Sequence, residues 1–179
     1  TEDENWLPPD NVHMNAGDVV AFRTSPTNIG ISLLSDLAAY DFGYCSATRM
    51  MDRTEKMFRT LGTMERYRGH FLNWYNTRTL DPLLPRYVST VDSGNLVGQL
   101  LVHATGLRML TETEIVPRQI VKGLQDTLRI LRHETHTQHV AVEQDGLPGI
   151  DGRAIRAMDR HIDGLDRCVY SLSSIVGLL

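Results

Sequence analysis

The chain has 179 residues, 41% of them hydrophobic and 22% charged, with a formal net charge of −4. That is the make-up of one globular domain or part of one, and without a long basic run it excludes a nucleic-acid partner. No apolar run approaches the roughly 20 residues of a bilayer-crossing helix, so no membrane insertion is expected, and Cys45 and Cys168 lack the spacing of a metal or redox motif.

The start, Thr1-Glu-Asp-Glu-Asn5, is acidic and lacks an initiator Met, which suggests a piece of a longer chain and not a signal peptide. Residues 1–24 read as an extended lead-in. Pro8-Pro9 opposes helix, and Val19 to Phe22 gives a short strand-like run. Ser25-Pro26 predicts a helix start, because Ser accepts from free backbone N–H groups and Pro suits the first helical position. Gly30, Leu33, Leu34, Leu37 and Ala38 follow at helical spacing, ending near Phe42-Gly43. A second helix is expected from Ser46 to about Arg66, with Met50, Met57, Phe58, Leu61 and Met64 as its apolar stripe. Core filling explains those methionines better than a pliable binding surface.

The stretch from Arg66 to Leu96 has no helical period and is dense in aromatic, amide, guanidinium and carboxylate groups. Strands are expected near 70–76 and 86–91 around the turn-rich Leu80-Asp-Pro-Leu-Leu-Pro85, giving a small β-hairpin insertion. Asp92-Ser93-Gly94 reads as the cap of a third helix, whose expected buried face is Leu96, Val97, Leu100, Leu101, Ala104 and Leu107. Thr111 with Glu114 forms a capping box for a fourth helix, with Ile120, Val121, Leu124, Leu128 and Leu131 buried. A polar connection is expected over 135–151. The last helix repeats Ile155, Met158, Ile162, Leu165, Val169, Leu172 and Val176 as a heptad seam, read as packing against the fourth helix.

Loops dense in polar and aromatic groups tend to carry function. Aromatic faces beside planar donors suit a sugar, which offers C–H faces and a rim of hydroxyls. The candidate substrate-binding residues are Arg23, Asn28, Trp74, Tyr75, Arg86, Asp92 and Asn95. Trp74 and Tyr75 are adjacent, so on a strand one of them faces the core. Asp92 and Asn28 can equally serve as helix-start residues. His133, His136 and His139 lack the zincin spacing, and on a helix the first and third point about 120° apart, so no metal site is assigned.

Three ordered motifs, Trp6-Leu-Pro-Pro-Asp-Asn11, Arg23-Thr-Ser-Pro-Thr-Asn-Ile-Gly30 and the 66–96 stretch, resemble the bacterial cyclic β-1,2-glucan synthases. The resemblance covers about residues 5–110. Phe22 stands where that family commonly has His, Asn76 where it has Asp, and Val12-His13 where it has Phe-Gln. The resemblance implies a mostly α fold of helical hairpins, part of an (α/α) toroid, at the start of a glucoamylase-like transglycosylase domain. It divides the chain into the lead-in (1–24), a family-motif region (25–110) and a helical hairpin (111–179).

It further implies a β-1,2-glucan partner, contacts with the remaining domains of the parent synthase, and self-association through apolar helix faces left exposed. The parent would sit on the cytoplasmic side of the bacterial inner membrane as a membrane-anchored enzyme, this segment itself being soluble. A UDP-glucose donor would be used at another domain, with no cofactor in this one. Retaining glycosyl transfer uses a pair of carboxyl groups. Glu55 and Glu65 are expected on the second helix, and Glu112 and Glu114 read as cap residues. No catalytic residue is therefore assigned, the acid pair is expected outside this chain, and the chain alone is expected to be inactive. A noncatalytic helical scaffold within the same synthase is the alternative.

Overall fold

The computed structural model describes residues 1–13, 19–112 and 119–130, with isolated positions at 133, 157, 160, 161, 164, 167, 168 and 171. The fold is mostly α with small antiparallel β pairs. The chain divides into two compact units, Thr1–Tyr40 with Ser46–Thr113, and Asp41–Cys45 with Glu114–Leu179. Glu114, Leu131, the 135–151 connection and all seven residues of the expected heptad seam lie outside the described residues. Among the described residues no helix is long and apolar enough to cross a membrane.

Among the described residues the first unit has three α-helices. In α1 (Pro26–Asp41) the Ser25 hydroxyl accepts from the Asn28 amide at 3.2 Å, so Ser25-Pro26 starts the helix as its sequence implies. α2 (Ala47–Thr63) is capped by Ser46, which accepts from the Arg49 amide. Met50, Met57, Leu61 and Met64 are buried, whereas Phe58 is 43% exposed. Thr54 takes the inward position instead, within 3.4 Å of His103. Glu65 lies beyond the end of α2 and not on it.

α3 (Thr90–Leu110) begins a turn earlier than Asp92 implies. Its N-cap is Ser89, whose hydroxyl accepts from the Asp92 amide at 3.1 Å. Asp92 is thus inside the first turn. The buried side of α3 carries Leu96 and His103, with Leu100 packed against the core, while Val97, Leu101 and Ala104 are exposed. The helix is apolar on both sides, so apolarity alone cannot select the inner one. Close approach to α1 selects it. A Cβ on Gly30 would overlap the Gln99 side chain, and one on Gly106 would fall 2.5 Å from Leu37. Thr111 closes α3, its amide bonded to the Arg108 carbonyl and the Glu112 amide to the Met109 carbonyl, both at 3.1 Å.

The contact order Thr27 to Asp92, Gly30 to Gln99 and Leu37 to Gly106 means that α1 and α3 run in the same direction. Their N-termini therefore sit side by side. α2 returns between them, joined to α1 by Asp36–Arg53 at 2.9 Å. The core comprises Leu7, Ile29, Leu33, Met57, Leu61, Met64, Leu72, Tyr75 and Leu96.

Strand pairing differs from a single hairpin over 70–76 and 86–91. β1 (Val12–His13) pairs with β2 (Val19–Val20). β4 (Arg66–Tyr67) pairs with β5 (His70–Phe71). β6 (Tyr75–Asn76) pairs antiparallel with β3 (Arg23–Thr24), in register Arg23 to Asn76 and Thr24 to Tyr75. Residues 86–89 form no strand, and a backbone bond from Asn73 to Tyr87 at 2.9 Å holds them in place. The β3–β6 pair carries the loop bearing Trp74 to the start of α1.

In the second unit, the 41–45 turn meets the helical residues 119–130. Gly43 has φ 76, and a Cβ there would lie 1.8 Å from the Gln119 carbonyl oxygen. Val121 and Leu128 are buried, but Leu124 is 43% exposed.

Candidate functional site

The paired N-termini of α1 and α3 carry a connected polar network. Thr27, in the first turn of α1, donates its hydroxyl to Asp92 Oδ1 at 2.6 Å, and Asn95 donates to the Thr27 hydroxyl at 3.1 Å. The other carboxylate oxygen of Asp92 accepts from Asn73. The Asn73 amide orientation follows from its neighbours, with nitrogen facing Asp92 Oδ2 at 3.0 Å and oxygen accepting from the Tyr87 hydroxyl and the Trp74 indole N–H. Burial raises the Asp92 pKa, but hydrogen bonds from the Ser89 and Thr27 side chains and the Thr27 amide outweigh it and hold the carboxyl below its ordinary value. Asp92 therefore supplies negative charge to the start of both helices.

A second cluster adjoins it. Arg23 donates through Nε and Nη2 to Asp10 Oδ2, at 3.1 and 2.9 Å, and Asn28 donates to Asp10 Oδ1 at 3.2 Å. Burial pushes the Asp10 carboxyl up, and the bonds from Arg23 and Asn28 more than reverse it, leaving its pKa lowered. The Arg23 guanidinium lies 4.9 Å from the Trp74 ring centroid. One indole face is thus taken by Arg23, and the Arg23 side chain remains 51% exposed.

Of the seven residues singled out in the sequence, Arg23, Asn28, Trp74, Asp92 and Asn95 come together here. Tyr75 does not. Its ring is fully buried, and its hydroxyl accepts from the Leu72 amide at 2.6 Å and donates to the Glu65 carbonyl at 2.7 Å. Of the adjacent aromatic pair, Tyr75 is the one in the core. Arg86 is also apart, paired with Glu65 at 3.1 Å. Asn76 accepts from the Arg78 and Thr79 amides at 2.8 and 3.1 Å, closing the 77–79 turn. An Asp at this position could make the same turn.

Asp10, Thr27, Asn73 and Tyr87 belong to the network but were not singled out. Asp10 and Thr27 stand inside the two upstream motifs, which was the available signal. Asn73 precedes Trp74-Tyr75 without any pattern of its own. Among the described residues no group of His, Cys, Asp and Glu is arranged to hold a metal ion.

The chain is thus a mostly helical segment with an ordered amide, carboxylate, guanidinium and indole platform at two parallel helix starts. No protein-family model matches it. It is 44% identical over 133 residues to cyclic beta-(1,2)-glucan synthase NdvB of Rhizobium meliloti (strain 1021), a match covering 74% of this chain. Over that segment the chain is a homologue of a cyclic β-(1,2)-glucan synthase. The match covers 5% of that relative's length.

Proposed function

We propose that this chain forms part of the cyclisation region of a cyclic β-1,2-glucan synthase and contacts the glucan through the Arg23–Trp74–Asp92 platform. The observation that carries this reading is the anchoring of Trp74. Its indole N–H is held by Asn73, and Asn73 is held by Asp92. A side chain locked by such a chain of bonds loses little further freedom when a ligand arrives. Asn95, Asn28 and the exposed guanidinium of Arg23 supply donors around it.

The same geometry supports a binding role without catalysis. A glycosyl-transfer acid needs a raised pKa. Asp10 and Asp92 are both held below their ordinary values and are engaged by neighbouring donors. The proposed catalytic pair lies elsewhere in the synthase, as does the UDP-glucose site, and the synthase is membrane-anchored with this segment on the cytoplasmic side. The toroid is likewise a proposal, supported by the parallel α1 and α3 with α2 returning between them.

The scaffold reading has its own support. Val97, Leu101, Val102 and Met109 leave one side of α3 apolar and exposed, a surface suited to other helices of the synthase or a second copy. Incubation of the chain with linear β-1,2-glucan, followed by mass spectrometry, tests the noncatalytic part. Neither shortened nor cyclic products are expected. Turnover that disappears in Asp92→Asn would place an active site within these residues.

A further inference from the structure

The β4–β5 hairpin and the 86–88 segment line an open pocket of about 520 Å³, within the range of small-molecule sites. Its chemistry differs from that of the Asp92 platform. Arg66, Arg68, Arg86 and His70 line it, against the single carboxylate of Glu65. Glu65 pairs with Arg86, and neither Arg66 nor Arg68 is paired with a carboxylate among the described residues. The cavity therefore keeps an uncompensated positive charge.

Its donors are positioned. Arg66 is held by one bond to the Leu61 carbonyl at 2.9 Å and by the Phe71 ring at 4.4 Å. A guanidinium has five N–H donors in a rigid fork, so most of those on Arg66 remain for a ligand. Arg68 occupies the first turn position of the hairpin with φ 50, followed by Gly69 at φ 87. Such two-residue turns favour Asn, Asp or Gly at that first position, and a long side chain with positive φ is strained there. The turn thus carries a long basic side chain where a small residue would be less strained. The Tyr67 and Tyr87 rings complete the lining; the Arg68 guanidinium lies over Tyr67 at 5.4 Å from its centroid, which leaves Tyr87 as the aromatic face for a sugar ring.

We infer that this cavity binds an anionic saccharide, a sugar carrying a phosphate or carboxylate group, with the Arg66 and Arg68 guanidiniums on the anion and the Tyr87 ring on the sugar. The inference stands on the cavity alone and does not depend on the glucan reading, since β-1,2-glucan as such is uncharged.

Isothermal titration calorimetry of the full chain tests it, with glucose 6-phosphate, glucuronate, glucose and inorganic phosphate as separate titrants at low salt. Saturable binding of glucose 6-phosphate or glucuronate is expected, at least tenfold tighter than glucose or inorganic phosphate. The relative strength of the two anionic sugars tells which anion is preferred. Arg68→Gly removes the guanidinium while relieving the positive-φ strain, so it should retain the parent's thermal stability and lose at least tenfold in affinity. Glucose binding as well as its phosphate, inorganic phosphate binding as tightly as the sugar phosphate, no saturable binding of either anionic sugar, or unchanged affinity in a folded Arg68→Gly protein would each overturn the inference.

Discussion

Thr27 and Asp92 lie 65 positions apart in sequence and meet at 2.6 Å, hydroxyl to carboxylate, where the first turns of α1 and α3 come together. This bond aligns the two parallel helices and fixes the base of the Trp74 platform. α1 has no acidic residue in its own first turn, so Asp92 supplies that charge from a neighbouring helix.

Replacing Asp92 by Asn should therefore cost more than a surface change. The new amide nitrogen would face a donor, either Thr27 or Asn73. A loss of about 1–3 kcal/mol is expected, read by chemical denaturation. Thr27→Val should cost less, and the double mutant should cost less than the sum of the two, because both disturb the same network. Strict additivity would show that the contact carries no coupling.

Tyr75→Phe keeps the buried ring but strands two backbone groups, the Leu72 amide and the Glu65 carbonyl. A loss of about 1–3 kcal/mol is expected from the unsatisfied pair. A melting temperature equal to the parent's would mean that water replaces the hydroxyl.

Stability should fall on acidification in two windows. Burial lowers the His103 pKa from 6.5. The unfolded chain then takes up a proton near that value while the folded one still resists it. Stability is fully present above about 6.5 and declines as pH falls toward the lower folded-state value. Asp10 and Asp92 are lowered from 3.8. Their contribution is present above that value and is lost as pH falls through their folded-state pKa values. Denaturation midpoints measured from pH 8 to 3 should show both declines, and His103→Gln should flatten only the first. A midpoint that rises between pH 7 and 5 would contradict the His103 assignment.

Gly123→Ala should destabilise the second unit. The added Cβ would lie 2.2 Å from the Gly43 carbonyl oxygen, which is backbone and cannot swing away. Overpacking of this kind costs about 1–3 kcal/mol. Gly62→Ala, with open space around it, should be neutral or stabilising in the same thermal melt.

The helices were legible where a cap and an apolar row agree. Ser25-Pro26 and Ser46 both mark their helix starts correctly. Ser89 does not stand out in the sequence, because Asp92-Ser93-Gly94 offers a second cap-like group one turn later. The inner side of α3 was not legible, since Val97 and Leu101 are as apolar as Leu96 and Leu100, and the buried position went to His103. The β3–β6 pair is two residues long on each side, too short for an alternating pattern, and it joins segments about fifty positions apart. For the same reason Asn73 has no local signature, and Asp10 has only its place in the Trp6–Asn11 motif. Their role follows from neighbours brought together by that pairing.

The central claim, that the Trp74 platform meets the glucan, is tested most directly by fluorescence. The chain has two tryptophans, Trp6 and Trp74, so Trp6→Phe leaves Trp74 as the sole indole reporter. Titration of that variant with linear β-1,2-glucan should give a saturable change in emission, weakened at least several-fold by Arg23→Ala and absent with an unrelated neutral glucan. Emission unchanged up to millimolar glucan, in a protein whose circular dichroism matches the parent, would contradict the account.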